Sequence, residues 1–354
     1  MGLESYGWDS ACSAHFEPWR AEGHVPGRVV LEHQHLYRVH LERGEPLAHV
    51  SGRFRHRAAG RREFPAVGDW VAVAPPHGHH QAVIHGVLPR KSHFSRKVAG
   101  ETTEEQVVAA NVDTVFLVSG LDEEFNVRRI ERYLVTARDG GARPVVVLNK
   151  IDLCEDPAAR IAEVEAMAPG VPVHGVSCVT GLGLDCLLEH AAPGQTVALL
   201  GSSGVGKSTI INRLLGREKQ RTRDVRERDS RGRHTTTNRE LIPLPTGGLL
   251  IDTPGMRELQ LWDGSDTLHQ TFDDITALAA GCHFRNCRHD TEPRCAVRAA
   301  AEAGTLPADR LDSFRRLQRE IDALAQRRDE LTQLEEKRQD RVIHRAQRKL
   351  PPRR

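Results

Sequence analysis

The chain has 354 residues, a hydrophobic fraction of 39% and a formal net charge of +2, which indicates a globular protein of two or three domains. No apolar stretch is long enough to span a bilayer and no charged leader precedes an apolar one, so we expect a cytoplasmic protein without a membrane partner. The seven cysteines form no disulfide framework, which excludes the small secreted class.

Residues 24–97 follow an N-terminal extension, residues 1–23, that matches no interpretable pattern. Short alternating segments with glycine and proline turns predict a small β-barrel of the OB type. Arg53, Arg55 and Arg57 alternate and would share one strand face, either a phosphate-binding surface or a solvated edge strand. The predicted strands are Gly27–Leu31, Leu36–Leu41, Ala48–Gly52, Asp69–Val73 and Ala82–Ile84.

A base-recognition motif follows a predicted linker over residues 98–110 and a predicted strand at Asp113–Val118. It comes after the apolar segment Pro144–Leu148 and has the pattern N-K-x-D. The carboxylate of Asp152 would accept two hydrogen bonds from guanine, at N1–H and the exocyclic amine, a donor pair that adenine lacks. The residues predicted to bind the base are Asn149, Lys150, Ile151 and Asp152, with Ser177 and Cys178 in the loop behind it.

A phosphate-binding loop of the pattern G-x-x-x-x-G-K-S lies between a predicted strand, Thr196–Leu200, and a predicted helix, Ser208–Leu215. Glycines let successive backbone N–H groups turn toward phosphates, and the helix start adds its dipole. Lys207 would reach the β- and γ-phosphates, and the Ser208 hydroxyl would ligate Mg²⁺. The predicted phosphate-binding residues are Gly201, Ser202, Ser203, Gly204, Val205, Gly206, Lys207, Ser208 and Thr209.

A polar, Arg-rich stretch from Arg217 to Arg239 predicts a nucleotide-sensing switch, a disordered basic loop, or both. One of its three consecutive threonines would reach Mg²⁺, and we favour Thr236 over Thr235 and Thr237. The predicted strand Leu249–Ile251 then ends in D-T-P-G. There, Asp252 would hold Mg²⁺ through water and the Gly255 N–H would meet the γ-phosphate.

The hydrolytic residue is not supplied by the usual glutamine, because Met256 follows the D-x-P-G motif and cannot orient water. His234 either substitutes for it or is a solvent-exposed loop histidine; Lys207 and Asp252 complete the predicted catalytic set. The base motif precedes the phosphate loop, which precedes D-x-P-G. In an ordinary GTPase domain the phosphate loop comes first and the base motif last, so this order indicates a circularly permuted α/β GTPase domain.

Three cysteines and a histidine with the spacing C-x4-C-x-H-x5-C predict a closed structural Zn²⁺ site, namely Cys282, Cys287, His289 and Cys295. The alternative is three free thiols and an unrelated histidine. Residues from Pro307 to about Ala346 have helical periodicity. The basic tail that follows would contact RNA phosphates or be a solvated helix end.

These features together resemble the RsgA (YjeQ) family of small-ribosomal-subunit-dependent GTPases, over about residues 24–350. The resemblance implies an OB-fold RNA-binding domain at 24–97, a permuted GTPase domain at 98–278, and a zinc-binding helical domain at 279–354. It also implies binding of the 30S subunit and its 16S rRNA late in maturation. One departure is Ser177–Cys178, where the family more often has Ser-Ala.

We therefore predict a monomeric GTPase that uses Mg²⁺ with GTP, holds one structural Zn²⁺ and is stimulated by the 30S subunit. The main alternative is an RNA-binding assembly factor that uses GTP and GDP as a binding switch with negligible turnover. A weaker rival is a P-loop enzyme that uses ATP.

Overall fold

The computed structural model describes residues 2–33, 36–75, 81–97, 105–216, 239–252 and 264–347. Backbone contacts group residues 1–97 and 104–260 into one unit and residues 98–103 and 261–354 into a second. The strands of the described residues all lie in the first unit: β1 (Val25–His33), β2 (Leu36–His40), β3 (Leu47–Val50), β4 (Trp70–Ala74), β5 (Ala82–Val87), β6 (His93–Lys97), β7 (Glu105–Ala110), β8 (Thr114–Gly120), β9 (Arg143–Asn149), β10 (Val173–Val176), β11 (Thr196–Gly201), β12 (Arg239–Pro243) and β13 (Leu249–Asp252).

The helices of the described residues are α1 (Ser10–Ala21), α2 (Gly52–Arg57), α3 (Val127–Asp139), α4 (Pro157–Met167), α5 (Asp185–Glu189), α6 (Lys207–Leu215), α7 (Ser265–Thr271), α8 (Asp273–Ala279), α9 (Ala296–Glu302) and α10 (Ala308–Gln347). None of them combines the length and the apolar character that a membrane crossing requires.

Six strands form the α/β half of one long sheet, in the order β10-β9-β8-β11-β13-β12, and all but β12 are parallel. Strand β8 is buried throughout. Its Val115 and Leu117 pack in the hydrophobic cluster that contains α3 residues, whereas Phe116 and Val118 pack in the cluster of α6. Burial on both faces explains the continuous apolar runs in the sequence. The predicted strands and the helix after the phosphate loop are confirmed.

The second half of the sheet closes into a five-stranded barrel, because β1 pairs with both β2 and β4 while β3 and β5 complete the circle. Its interior holds alternating side chains such as Val29, Val39, Val71 and Ile84. The OB-type barrel predicted from the sequence is confirmed.

The prediction that Arg53, Arg55 and Arg57 share a strand face is wrong, since these residues lie in helix α2. Ser51 caps this helix: its hydroxyl accepts a hydrogen bond from the Phe54 N–H at 3.1 Å. The three arginines are exposed on a single short helix turn instead of one face of a strand.

The predicted linker over residues 98–110 is wrong for its second half, which forms β7 and pairs antiparallel with β6. Val107, Val108, Ala109 and Ala110 are buried in this hairpin. The short apolar run was therefore a strand rather than a connection.

The N-terminal segment that the sequence left uninterpreted is part of the first unit's core. Phe16 of α1 is fully buried, and Trp8 makes an edge-to-face contact with Trp70 of β4 at 4.8 Å. Trp19 packs on Gly86, where a Cβ atom would lie 2.2 Å from its ring. The segment thus covers one side of the barrel.

The barrel and the α/β half are joined by strand pairing, because Leu31 and Glu32 of β1 pair with Glu240 and Arg239 of β12. The largely buried Arg239 and Glu32 side chains form an ion pair at 2.8 Å. Arg28, also in β1, is fully buried and donates hydrogen bonds to the Tyr6, Gly68 and Asn111 carbonyls and to the Thr196 hydroxyl. Burial lowers the pKa of Arg28 to about 10.

The second unit is helical in its described residues. Phe272 and Phe314 meet edge to face at 5.5 Å, next to buried Ile275 and Leu311. Arg310 makes a two-pronged contact with the Asp274 carboxylate, at 2.6 and 2.8 Å. Helix α10 confirms the helix predicted from Pro307.

Candidate nucleotide-binding and metal sites

The G-x-x-x-x-G-K-S segment forms a tight loop between β11 and α6. Close packing requires two of its glycines: a Cβ atom would lie 2.3 Å from the Val118 carbonyl oxygen at Gly201, and 2.1 Å from the Asn149 amide at Gly206, which has φ +96°. The Lys207 ammonium donates to the Gly201 carbonyl at 2.7 Å and to the Ser202 carbonyl. Its charge therefore lies over the loop backbone.

The side-chain amide of Asn149 connects three segments that are far apart in the sequence. Its Nδ2 donates to the Val205 carbonyl of the phosphate loop at 2.8 Å, and its Oδ1 accepts from the Cys178 N–H at 3.3 Å. The base motif, the phosphate loop and the Ser177–Cys178 loop thus meet at one buried residue.

Lys150 follows with a left-handed φ of 66°, and its ammonium donates to Asp122 at 2.6 Å. Burial raises the pKa of Asp122, but the hydrogen bond and charge of Lys150 outweigh it, so the pKa lies below its ordinary value. The sequence reading did not include Asp122, because no local pattern links it to a lysine 28 positions away. Asp152 itself is exposed, which leaves its carboxylate open to a ligand.

The loop after β10 is held by an internal hydrogen bond and by a hydrogen bond from helix α6. Ser177 accepts from the Thr180 N–H at 3.1 Å, and Arg213 of α6 donates to the Cys178 carbonyl at 3.0 Å. Burial raises the pKa of the Cys178 thiol to about 11, so cysteine at this position is a neutral, packed side chain at neutral pH. The departure from Ser-Ala therefore introduces no charge next to the base loop.

Asp252 lies at the same edge of the sheet as the phosphate loop. The residue before it, Ile251, pairs with Ala198 of parallel β11, so the carboxyl ends of both strands meet there. Ser208 and Thr209 lie half-buried in the first turn of α6. The predicted residues His234, Thr236 and Gly255, with Met256, fall outside the described residues.

Ser202 has two side-chain contacts that were not predicted from the sequence. Its hydroxyl accepts from Arg129 Nη1 at 3.1 Å and lies 3.0 Å from the Tyr133 hydroxyl, both on α3. These residues precede the loop by 73 and 69 positions, and no spacing rule connects them.

In the second unit, the ligand atoms of Cys282, Cys287, His289 and Cys295 all lie within 4.8 Å of one another. The Cys282 and Cys295 sulfurs are 3.8 Å apart, and His289 Nδ1 lies 3.6 and 3.4 Å from them. A tetrahedron with Zn–S bonds of about 2.3 Å has edges of roughly 3.8 Å, shorter toward nitrogen. The four donors could hold a zinc ion.

The loop between these donors is braced by Glu292. Its carboxylate accepts hydrogen bonds from the backbone N–H groups of Arg288, Asp290 and Thr291, and these bonds lower its pKa to about 2. Arg315 of α10 donates to the His289 carbonyl. The donors are therefore positioned by the surrounding chain.

The RsgA GTPase family model matches residues 87–262. A small ribosomal subunit biogenesis GTPase RsgA of Opitutus terrae is 48% identical over 98% of this chain and 97% of that relative. The chain belongs to the RsgA family of GTPases. A second RsgA, from Syntrophotalea carbinolica, is 41% identical over 98% of this chain and 96% of its own length.

Solved structures of the RsgA family's fold are similar to this chain. The crystal structure of YjeQ from Thermotoga maritima has a TM-score of 0.62 and 28% identity, covering 84% of this chain and 98% of its own. YloQ, described as a circularly permuted GTPase, has a TM-score of 0.58 and 24% identity, with 85% and 96% covered. The predicted family and the permuted fold are confirmed.

Proposed function

We propose that the chain hydrolyses GTP while it is bound to the maturing 30S subunit through 16S rRNA, and that the subunit stimulates the reaction. The observation that supports GTP binding most directly is the position of the Asn149 side-chain amide, which joins the base motif to the phosphate loop and the Ser177–Cys178 loop. The relatives' printed name, small ribosomal subunit biogenesis GTPase, supplies the process. We place this reaction in the cytoplasm and assign it to a monomer.

Each sequence motif has a role in the proposed reaction. Asp152 selects guanine through its exposed carboxylate. Lys207 stabilises charge on the β- and γ-phosphates as water attacks phosphorus and GDP leaves. Mg²⁺ bound with GTP would neutralise charge on the same oxygens, and Ser208, Asp252 and Thr236 would hold it. Gly255 meets the γ-phosphate, and His234 orients the attacking water in place of the usual glutamine.

The Cys282, Cys287, His289 and Cys295 cluster is proposed to hold one structural Zn²⁺. Three thiols and an imidazole leave no coordination position for water, so the metal would organise the fold and not the chemistry. The proposed domain assignment keeps this cluster in residues 279–354, apart from the GTPase domain at 98–278.

The barrel at 24–97 is proposed to bind rRNA through helix α2 and the turn after it. Five arginines in this segment are exposed, at positions Arg53, Arg55, Arg57, Arg61 and Arg62. Closely spaced exposed cations follow a phosphate backbone without reading its bases.

A switch with negligible turnover is the second candidate, favoured by the apolar Met256 after the D-x-P-G motif. Single-turnover GTP hydrolysis, measured with and without purified 30S subunits, separates the two. We expect a slow intrinsic rate, on the order of 10⁻⁴ to 10⁻² s⁻¹, and clear acceleration by 30S but not 50S subunits. Lys207→Ala should abolish the reaction, and unaccelerated hydrolysis by the wild type would favour the switch.

A further inference from the structure

We propose that Arg129, together with Tyr133, is a positioning residue for GTP hydrolysis, and that it acts by fixing the first half of the phosphate loop through the Ser202 hydroxyl. This inference rests on the proposed function, since it assumes that the loop binds GTP. It adds two residues of α3 that none of the sequence motifs contains.

The contact is specific in geometry. Arg129 Nη1 donates to Ser202 Oγ at 3.1 Å, and the Tyr133 hydroxyl lies 3.0 Å from the same oxygen. Residues four apart lie on one helix face, so α3 presents both groups to the loop together. Both side chains are half-buried, which limits competition from water.

Helix α3 is a fixed platform for these groups. Its Ile130 and Leu134 are buried in the core beneath the sheet, and Asn126 caps its first turn by accepting from the Arg129 N–H at 3.1 Å. A side chain that extends from such a helix can hold a loop in place, because the helix itself does not move with the loop.

The contact of Arg129 and Tyr133 with Ser202 matters most for the start of the phosphate loop, because the end of the loop has another restraint. Its last part is held by the Asn149 amide on the Val205 carbonyl, at 2.8 Å. Its middle residues, Ser203 and Gly204, are exposed, and a Cβ atom added at Gly204 would meet nothing within 4 Å. Packing therefore does not restrain the middle of the loop, and the α3 side chains hold it on the other side of this middle part, at Ser202.

Ser202 also connects the Arg129 contact to Lys207, the lysine proposed to stabilise charge on the phosphates. Its carbonyl accepts a hydrogen bond from Lys207 while its hydroxyl accepts from Arg129. A shift of the Ser202 backbone would therefore move the Lys207 ammonium relative to the γ-phosphate. Misplacement by about 1 Å at a reacting centre costs up to roughly 100-fold in rate. The expected signature is a loss of rate with little loss of GDP affinity.

The test uses the full-length protein with 30S subunits and measures the single-turnover rate constant beside GDP affinity with a fluorescent analogue. Arg129→Gln and Ser202→Ala should each lower the rate constant by about 10-fold to 100-fold. GDP affinity should stay within about twofold of wild type in both, because the Asn149 anchor remains. Arg129→Lys, which keeps a donor, should recover part of the rate, and Tyr133→Phe should lose less than Arg129→Gln.

The double variant Arg129→Gln with Ser202→Ala should be no slower than Ser202→Ala alone, because removing the Ser202 hydroxyl already removes the hydrogen bond from Arg129. Arg143→Gln, an exposed arginine of β9 that contacts Gln195, is the matched control and should keep the wild-type rate. Wild-type rates in the α3 variants, additive losses in the double variant, or equal losses of rate and GDP affinity overturn this inference. A wild type that does not hydrolyse GTP overturns the proposed function itself.

Discussion

The carboxylate of Asp152 is the group on which base selection depends in the proposed site. It is exposed, while its neighbour Asn149 is buried and holds the loops together. In the proposed site, Asp152 therefore recognises the base, whereas Asn149 holds the surrounding loops in place. Changing Asp152 should alter which base binds without disturbing the loop.

Asp152→Asn should reverse the preference between GTP and xanthosine triphosphate. The amide loses the acceptor pair for guanine and gains donors that match xanthine, and a matched against a mismatched polar pair differs by about 10⁴-fold or more. Competition binding with both nucleotides measures the change. An unchanged preference would remove Asp152 from the base site.

Asp122→Asn should speed the dissociation of GDP by about fivefold, because Lys150 loses a partly exposed ion pair of roughly 1 kcal/mol. The folded pKa of Asp122 lies below its ordinary value, so its stabilisation is present above the unfolded pKa and is lost as the pH falls through the folded pKa. Between pH 6 and 9 the ratio of variant to wild-type dissociation rates should therefore stay constant. A ratio that changes across this range would contradict the assignment.

The chemical roles of the motif residues could be predicted from the sequence, because phosphate and guanine binding require particular groups at fixed spacing. The contacts of Asp122, Arg129 and Tyr133 could not, because they join residues that only the folded sheet brings together. Their residue types are ordinary for a solvated loop and a helix.

At the scale of elements, buried strands such as Thr196–Leu200 were predictable because burial on both faces leaves a continuous apolar run. The alternation of Arg53, Arg55 and Arg57 does not distinguish a strand from a short helix, since exposed helices and strands accept the same residues. The Ser51 cap decided in favour of a helix. Residues 105–110 were missed because only four of them, Val107–Ala110, are apolar, and so short an apolar segment beside a polar stretch also occurs in linkers.

The junction between β1 and β12 should depend on the Arg239–Glu32 ion pair. The two side chains are only 9% and 16% exposed, so Arg239→Gln leaves Glu32 without its partner and should lower local hydrogen-exchange protection of both strands by about 3 kcal/mol. The swap Glu32→Arg with Arg239→Glu should restore part of it. Arg160→Gln, which breaks the exposed pair with Glu163, should change nothing. Equal protection in Arg239→Gln and wild type would show that backbone pairing alone holds the junction.

If the cluster holds the proposed zinc ion, removing that ion should unfold the loop from Cys282 to Cys295. Zinc binding in such sites contributes on the order of 10–16 kcal/mol to local folding, so a chelator should unfold this loop and weaken binding to the 30S subunit while GTP binding persists. Cys295→Ala should reproduce the loss, whereas Cys186→Ala, a thiol outside the cluster, should not. Protein purified without chelators that contains no zinc would refute the site.

At the scale of the whole molecule, the sequence predicted which modules are present but not how β1 and β12 join. Pairing of Leu31 with Glu240 connects residues more than 200 positions apart, and neither strand carries a local signal for its partner. The family resemblance predicted which domains are present, whereas the register between β1 and β12 is visible only in the structure.

The basic segment of the barrel gives a prediction for the complete complex. Replacing Arg53, Arg55 and Arg57 with Gln should reduce the slope of log affinity against log salt for 30S binding by about 2–3, if each cation neutralises one phosphate. Replacing the exposed Arg20, Arg143 and Arg160 removes the same charge elsewhere and should leave the slope within about 1 of wild type. Equal slopes for the two triple variants would exclude α2 from the RNA interface.

The pairing of β12 with β1 also determines where another chain could add a strand. Within the described residues, the long sheet closes on itself at the barrel end, and its open edge is β10, which has only four residues. Long open edges template pairing between molecules, and short ones suppress it. A partner strand therefore cannot pair with Arg239 and Glu240 of β12 while β1 is paired with them. The same pairing shortens the edge of β12 that is available for edge-to-edge aggregation.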